Sequence, residues 1–194
     1  MIDKVLDVIK TGIQEYLVRL PELNITSETV VHITPVVKPN GDIAVPDNSL
    51  GLTLVSVEEE RVMKAQKSSS LTSGGQVVHV NPDVKINLYV LITANFNKYA
   101  TGLGFLSGAM RFFQANGVFN HENTPGLHPD IEKLIAELFT LSFEQQNHLW
   151  GSLGAKYMPS VLYKIRMITI QEAAAADEQP PVRAVSLSGR GIGT

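Results

Sequence analysis

The chain has 194 residues, 44% of them hydrophobic, with no cysteine and a formal charge of −3. That length supports one sizeable core and a tail, and the missing cysteines exclude disulfides and thiolate metal sites while leaving the compartment open. An isoelectric point near 5.9 gives no general attraction to nucleic acid, and no stretch approaches the roughly 20 apolar residues of a membrane helix, so a soluble product is expected, with neither nucleic acid nor membrane as partner.

Ile2, Val5, Leu6, Ile9, Ile13, Tyr16, Leu17 and Leu20 recur at helical spacing and stop at Pro21, which predicts one amphipathic helix. Its first turns interleave Asp3 and Asp7 with Lys4 and Lys10, unlike the unbroken apolar run of a signal peptide. Thr29 to Thr34 reads as a short strand and Leu50 to Val57 as a longer one, separated by Pro39-Asn40-Gly41-Asp42 and Pro46-Asp47-Asn48, and the pair suggests a hairpin or meander. Glu58 to Arg61 reads as a solvated strand end. Lys64 to Gly75 has no periodicity and the composition of a flexible loop, and loops this long are often binding segments.

Val84 to Thr93 is the cleanest strand. Val84, Ile86, Leu88, Val90 and Ile92 share one side, so this strand is expected at the centre of the sheet. A helix follows from Tyr99 to Ala115 with Tyr99, Leu103, Leu106, Met110 and Phe113 as its stripe, and Gly102, Gly104 and Gly108 suit close approach to another element. Their position within the helix, with Ser107 where a third glycine would be needed, argues against a dinucleotide-binding turn.

Residues 120–130 form a loop ahead of a strand–helix–strand unit. Glu132 to Leu141 alternates, with Leu134, Ala136, Leu138 and Thr140 on the core side. Ser142 and Gln145 then form a capping box for a short helix carrying Phe143, Leu149, Trp150 and Leu153 on one face, with Gly154 as its C-terminal cap. From Ser160 the alternation returns. Val161, Tyr163, Ile165 and Met167 point one way; Lys164 and Arg166 point the other, toward solvent, a neighbouring subunit or a polymer partner. These elements predict an α+β domain with a mainly antiparallel sheet, two long helices on one face and a short helix between the last two strands.

Catalytic chemistry finds little support. His121, Glu122 and His128 offer imidazole and carboxylate, but their spacing does not fit HExxH, and Pro125 and Gly126 preclude a helix there. His148 lies four residues after Glu144, where a local hydrogen bond is the simpler role, since no nucleophile is evident nearby. No catalytic, cofactor-binding or metal-binding residue is assigned. Beyond Ile170 the composition changes to alanines, acidic residues and Pro180-Pro181. Residues 1–170 therefore read as the domain and 171–194 as linker and tail, in which Val182 to Leu187 has the pattern of a strand seeking a sheet edge.

The segment LSFEQQNHLWGSLGAKYMPSVLYKIRMITI resembles the C-terminal signature of the cap proteins, or tube terminators, of extracellular contractile injection systems of the antifeeding-prophage and virulence-cassette type. MIDKVLDVIKTGIQEYL, INLYVLITANFNKYATGLGFLSGAMRFFQANGVF and the loop before Ile131 resemble the same family in the same order. The likeness runs over about residues 1–170, follows the pattern less closely at 38–49 and 64–80, and is not seen past Ile170. It implies a tail-terminator-like fold and a non-enzymatic protein. Such a protein forms a hexameric ring on the distal end of the inner tube, stops tube growth and contacts the last sheath ring. It would be assembled in the cytoplasm and carried on the released particle. Lys164, Arg166, Val182, Val185 and Leu187 are the expected partner-interface residues. A baseplate or adaptor subunit, a small metal-dependent hydrolase using His121, Glu122 and His128, and a stand-alone binding module using loop 64–80 are the alternatives.

Overall fold

A computed structural model describes residues 1–25, 29–60, 68–71, 77–80 and 85–169. The chain groups into two compact units, one of Met1–Arg61 with Val84–Ile170, the other of Val62–Asp83 with Gln171–Thr194. The first unit holds helix α1 (Ile2–Val18), strands β1 (Val31–Ile33), β2 (Ser49–Glu59) and β5 (Lys85–Asn95), and helix α2 (Tyr99–Ala115). It continues through β6 (Val118–Asn120), β7 (Ile131–Phe139), α3 (Phe143–Leu153) and β8 (Ser160–Thr169). In the second unit, β3 (Ser68–Leu71) and β4 (Val77–Val80) form an antiparallel pair.

The six strands of the first unit lie in the order β1-β2-β5-β8-β7-β6, antiparallel except where β1 runs parallel to β2. The architecture is the expected α+β fold. Alternation places Leu50, Leu52, Leu88, Val90, Ile92, Leu134, Ile165 and Met167 on one face, all at most 1% exposed, in one cluster with Ile9, Ile13 and Leu17 of α1 and Phe105 and Phe112 of α2. Each such side chain contributes on the order of 1.5–3 kcal/mol. This layer therefore fixes both long helices on one face of the sheet.

The opposite face is covered by α3, whose Trp150 packs in a second cluster with Leu91, Leu162, Met158 and Val36. Ser142 accepts from the Gln145 N–H while the Gln145 side chain accepts from the Ser142 N–H, and Gly154 ends the helix at φ 65°, so the expected capping box and cap are both present.

Four expectations are corrected. β1 and β2 are not a hairpin: the parallel pairing of Val31 to Leu50 and Ile33 to Leu52 makes residues 34–48 a crossover. That crossover brings the Val45 Cγ2 to 2.6 Å from where a Cβ on Gly51 would stand, so only glycine fits there. Part of loop 64–80, namely 68–71 and 77–80, is paired strand; the remainder of 64–80 lies outside the described residues. The buried stripe of α2 is turned from the predicted one. Phe105, Leu106, Ala109, Phe112 and Phe113 face inward, whereas Tyr99, Leu103 and Met110 are exposed, because inward-facing Gly102 and Gly108 shift the contact line. Finally, Phe143 is 93% exposed, at the first turn of α3 where the helix has not yet reached the sheet.

Candidate assembly surface

On the α3 side of the sheet, β8 presents Lys164 and Arg166 between β5 and β7, in register with Tyr89 and Asn87 on one flank and Glu137 and Ile135 on the other. Their side chains are only 20% and 33% exposed, so their charges need partners near by. Glu60, just past the end of β2, supplies most of the compensation. Its Oε2 lies 3.5 Å from Arg166 Nε and 3.9 Å from Lys164 Nζ, and it accepts a hydrogen bond from Asn87 Nδ2 at 3.1 Å. Arg166 Nη2 reaches Glu137 Oε2 at 3.6 Å, which ties β2, β5, β8 and β7 in one row. Glu60, expected to be solvated, has a side chain only 18% exposed, whereas Glu58 and Glu59 are exposed as expected. Arg166 Nε and Asn87 Oδ1 are buried within the row without a hydrogen bond, so it is held mainly by charge.

Beside this row the Tyr89 hydroxyl donates to Glu58 Oε2 at 2.7 Å, and its ring meets Phe139 edge-on at 5.2 Å. The hydrogen bond to Glu58, then burial, then the charges of Glu58 and Glu60 push the Tyr89 phenol up to about 12. On the helix side, burial raises the pKa of Tyr163, which stacks on Phe113 at 4.1 Å.

Near the end of β7, Leu138 and Phe139 are exposed beside a hollow of about 220 Å³ that reaches Trp150 and Leu162, and Phe143 is exposed at the start of α3. A larger open groove, about 570 Å³, lies between α1 and residues 123–126, with Phe112 and Phe119 lining it and Lys4, Asp7, Glu15 and Arg19 around it. Its surrounding charges are of both signs and offer no selective field for an ion.

The structure brings Lys164 and Arg166 together with Glu60 and Glu137, two partners that sequence reasoning missed. Period-2 parity along β7 does place Glu137 on the same face as Lys164, but the Glu60 contact depends on where β2 ends. Val182, Val185 and Leu187 lie outside the described residues. His121 and Glu122 are exposed on the loop after β6, and His128 Nδ1 sits 3.4 Å from Asp130 Oδ2. Among the described residues, no three His, Asp or Glu side chains converge as metal ligands, and exposed His148 makes no hydrogen bond to Glu144. No helix among them is long and apolar enough to cross a membrane.

Two solved structures share this fold. One is the sheath/tube terminator, in its extended state, of the extracellular contractile injection system PVC, with a TM-score of 0.59 and 14% identity over 100% of this chain and 65% of that one. The other is the tube-terminating cap of the anti-feeding prophage, with a TM-score of 0.58 and 13% identity over 97% of this chain and 61% of that one. The chain thus spans less than two thirds of the length of either. None of the curated proteins matches it in sequence. A family model, the Pvc16 N-terminal domain, matches residues 4–184, and since that is nearly the whole chain, the protein belongs to the Pvc16 N-terminal domain family.

Proposed function

We propose that this protein is a non-enzymatic cap of a contractile injection particle, forming a ring, with six copies expected, on the distal end of the inner tube. There it stops tube growth and contacts the last sheath ring. The observation that carries this reading is the fold shared with two tube terminators along 100% and 97% of the chain. The role requires no chemistry. Heterologous contacts that close by rotation make a ring, and an axial surface offered on one side only ends a polymer. Residues 1–170 supply the ring-forming domain and residues 171–194 a tail that docks in trans through Val182, Val185 and Leu187. Lys164 and Arg166, already engaged by Glu60 and Glu137, give the contact face shape and rigidity more than free charge. The chain is assembled in the cytoplasm and leaves with the particle.

The test is the mass of the purified protein by light scattering, alone and with tube protein, followed by negative-stain imaging of the tubes. A ring of about six 21.2 kDa chains, or monomers that become rings on tube ends and shorten the tubes, is the expected result. Tubes whose length and ends are unaffected by excess protein would show the reading to be wrong.

A further inference from the structure

Among the described residues, each outer edge of the six-stranded sheet is only half covered, and the two bare halves are complementary. On one side β1 pairs with Leu50–Leu52 of β2, Thr34 N–H donates to Leu52 O, and from Leu54 onward β2 has no strand partner on that side among the described residues. On the other side β6 pairs with Lys133–Ile135 of β7, Ala136 N–H donates to Gly117 O, and from Glu137 onward the outer side of β7 has no strand partner among the described residues. β2 is antiparallel to β5, β5 to β8 and β8 to β7, so β2 and β7 run in opposite directions. The bare part of β2 is at one end of the sheet and the bare part of β7 at the other: Glu59 pairs with Ile86, near Ile168 and Lys133, whereas Phe139 pairs with Leu162, near Leu91 and Thr53.

We infer that the bare segment of β2, Leu54–Glu59, pairs antiparallel with the bare segment of β7, Glu137–Phe139, of a second copy of this chain. The inference rests on the ring reading above and names the contact that closes the ring. The stagger is what a closed sheet requires. Strands in a barrel tilt against its axis, so one copy's edge meets its neighbour's displaced along the strand, with β1 and β6 filling the halves that the displacement leaves. Because β2 and β7 are different surfaces, the contact is heterologous and repeats around a rotation axis. The side chains agree in parity. Val57, opposite Leu88, and Leu138, opposite Tyr163, lie on the face that carries α1 and α2, and they are 49% and 52% exposed in the single chain. Pairing of the two edges covers both, while the bulge between Leu54 and Ser56 turns the strand locally and limits how far pairing extends.

The absence of native cysteine allows a direct test in the full chain. Leu138→Cys is combined with Val57→Cys or with Glu59→Cys, two positions on one face that allow for a register difference, and each assembled variant is oxidised. Opposed strand positions have the Cβ spacing of a disulfide. The expected result, without reductant, is a ladder of disulfide-linked dimers, trimers and larger species up to the size of the ring from at least one pair, collapsing to monomer on reduction, with no ladder from any single variant. Rings that form normally without cross-linking from either pair overturn this inference and leave the cap reading standing. Chains that assemble neither alone nor with tube protein overturn both.

Discussion

The Leu17 Cδ2 lies 2.5 Å from the position a Cβ on Gly108 would occupy, so α1 and α2 approach as closely as two helices can with that leucine between them. Leu17 is fully buried and Leu20 Cδ1 stands 3.3 Å from the same point, leaving little room to give way. Gly104, one turn earlier, meets only Leu23 Cδ2 at an ordinary 3.5 Å. Alanine in a helix gains about 1 kcal/mol over glycine, whereas overpacking a filled core costs about 1–3 kcal/mol. Gly108→Ala is therefore expected to destabilise the protein by up to about 2 kcal/mol, and Gly104→Ala to stabilise it by up to about 1 kcal/mol. Urea midpoints shifting in the same direction for both variants would contradict this account of the interface.

The Glu60 row sets a second expectation. Glu60 is 18% exposed and its carboxylate faces both Lys164 and Arg166, so removing it leaves Lys164 without its ion-pair partner and Arg166 with Glu137 alone. A half-buried site falls between the near-zero value of exposed pairs and the larger penalty of breaking a buried one, which gives a loss of about 1–3 kcal/mol for Glu60→Gln. The loss should shrink when Arg166 is also replaced by leucine, because one of the two cations that Glu60 compensates is then gone. A double-mutant cycle in chemical denaturation reads this coupling directly, and strict additivity is the result that would count against it.

The long helices and the strand–helix–strand unit were legible because their signals are local: α2 spans Tyr99–Ala115 as read, and the Ser142–Gln145 capping box is present as read. Close approach at Gly102 was legible too, since a Cβ there would stand 3.2 Å from the Cβ of Phe96. The parallel β1–β2 pairing was not, because strand direction depends on where the crossover 34–48 packs, and Val36 in the α3-side cluster decides that through space. β3 was missed because Ser68-Ser69-Ser70 has no apolar alternation; its pairing to Val77–Val80 is set by the partner strand. The Glu60 contacts were hidden for the same reason, as they join residues about 100 positions apart.

The helical spacing puts Phe143 and Trp150 on one face of α3, yet the former is 93% exposed and the latter 5%. Phe143→Ser should leave the stability of the isolated chain within about 0.5 kcal/mol, as surface changes do. Trp150→Ala should cost about 3–5 kcal/mol by emptying the cluster with Leu91 and Leu162. If Phe143 lies at a subunit or sheath contact, the same Phe143→Ser variant lowers assembly without moving the denaturation midpoint of the monomer. Sedimentation alongside urea melts separates the two effects, and equal losses in both would place Phe143 in the fold after all.

Alkaline titration tests the Tyr89–Glu58 pair. The hydrogen bond to Glu58 first, with burial and the neighbouring carboxylates behind it, raises the phenol from its ordinary 10.0 to about 12 in the folded chain. The folded protein therefore holds this proton where the unfolded chain has lost it, and the protonated form is the one the fold favours. The stabilisation is complete below pH 10 and is lost as the pH rises from 10 to about 12. Denaturant midpoints for the natural chain should fall through this window more steeply than those of Tyr89→Phe, which has no proton to lose at that position. Phenolate absorbance recorded on the same samples should show one fewer late-titrating group in the variant. Parallel midpoint curves for the two proteins across the window would mean that Glu58 does not hold the hydroxyl in solution.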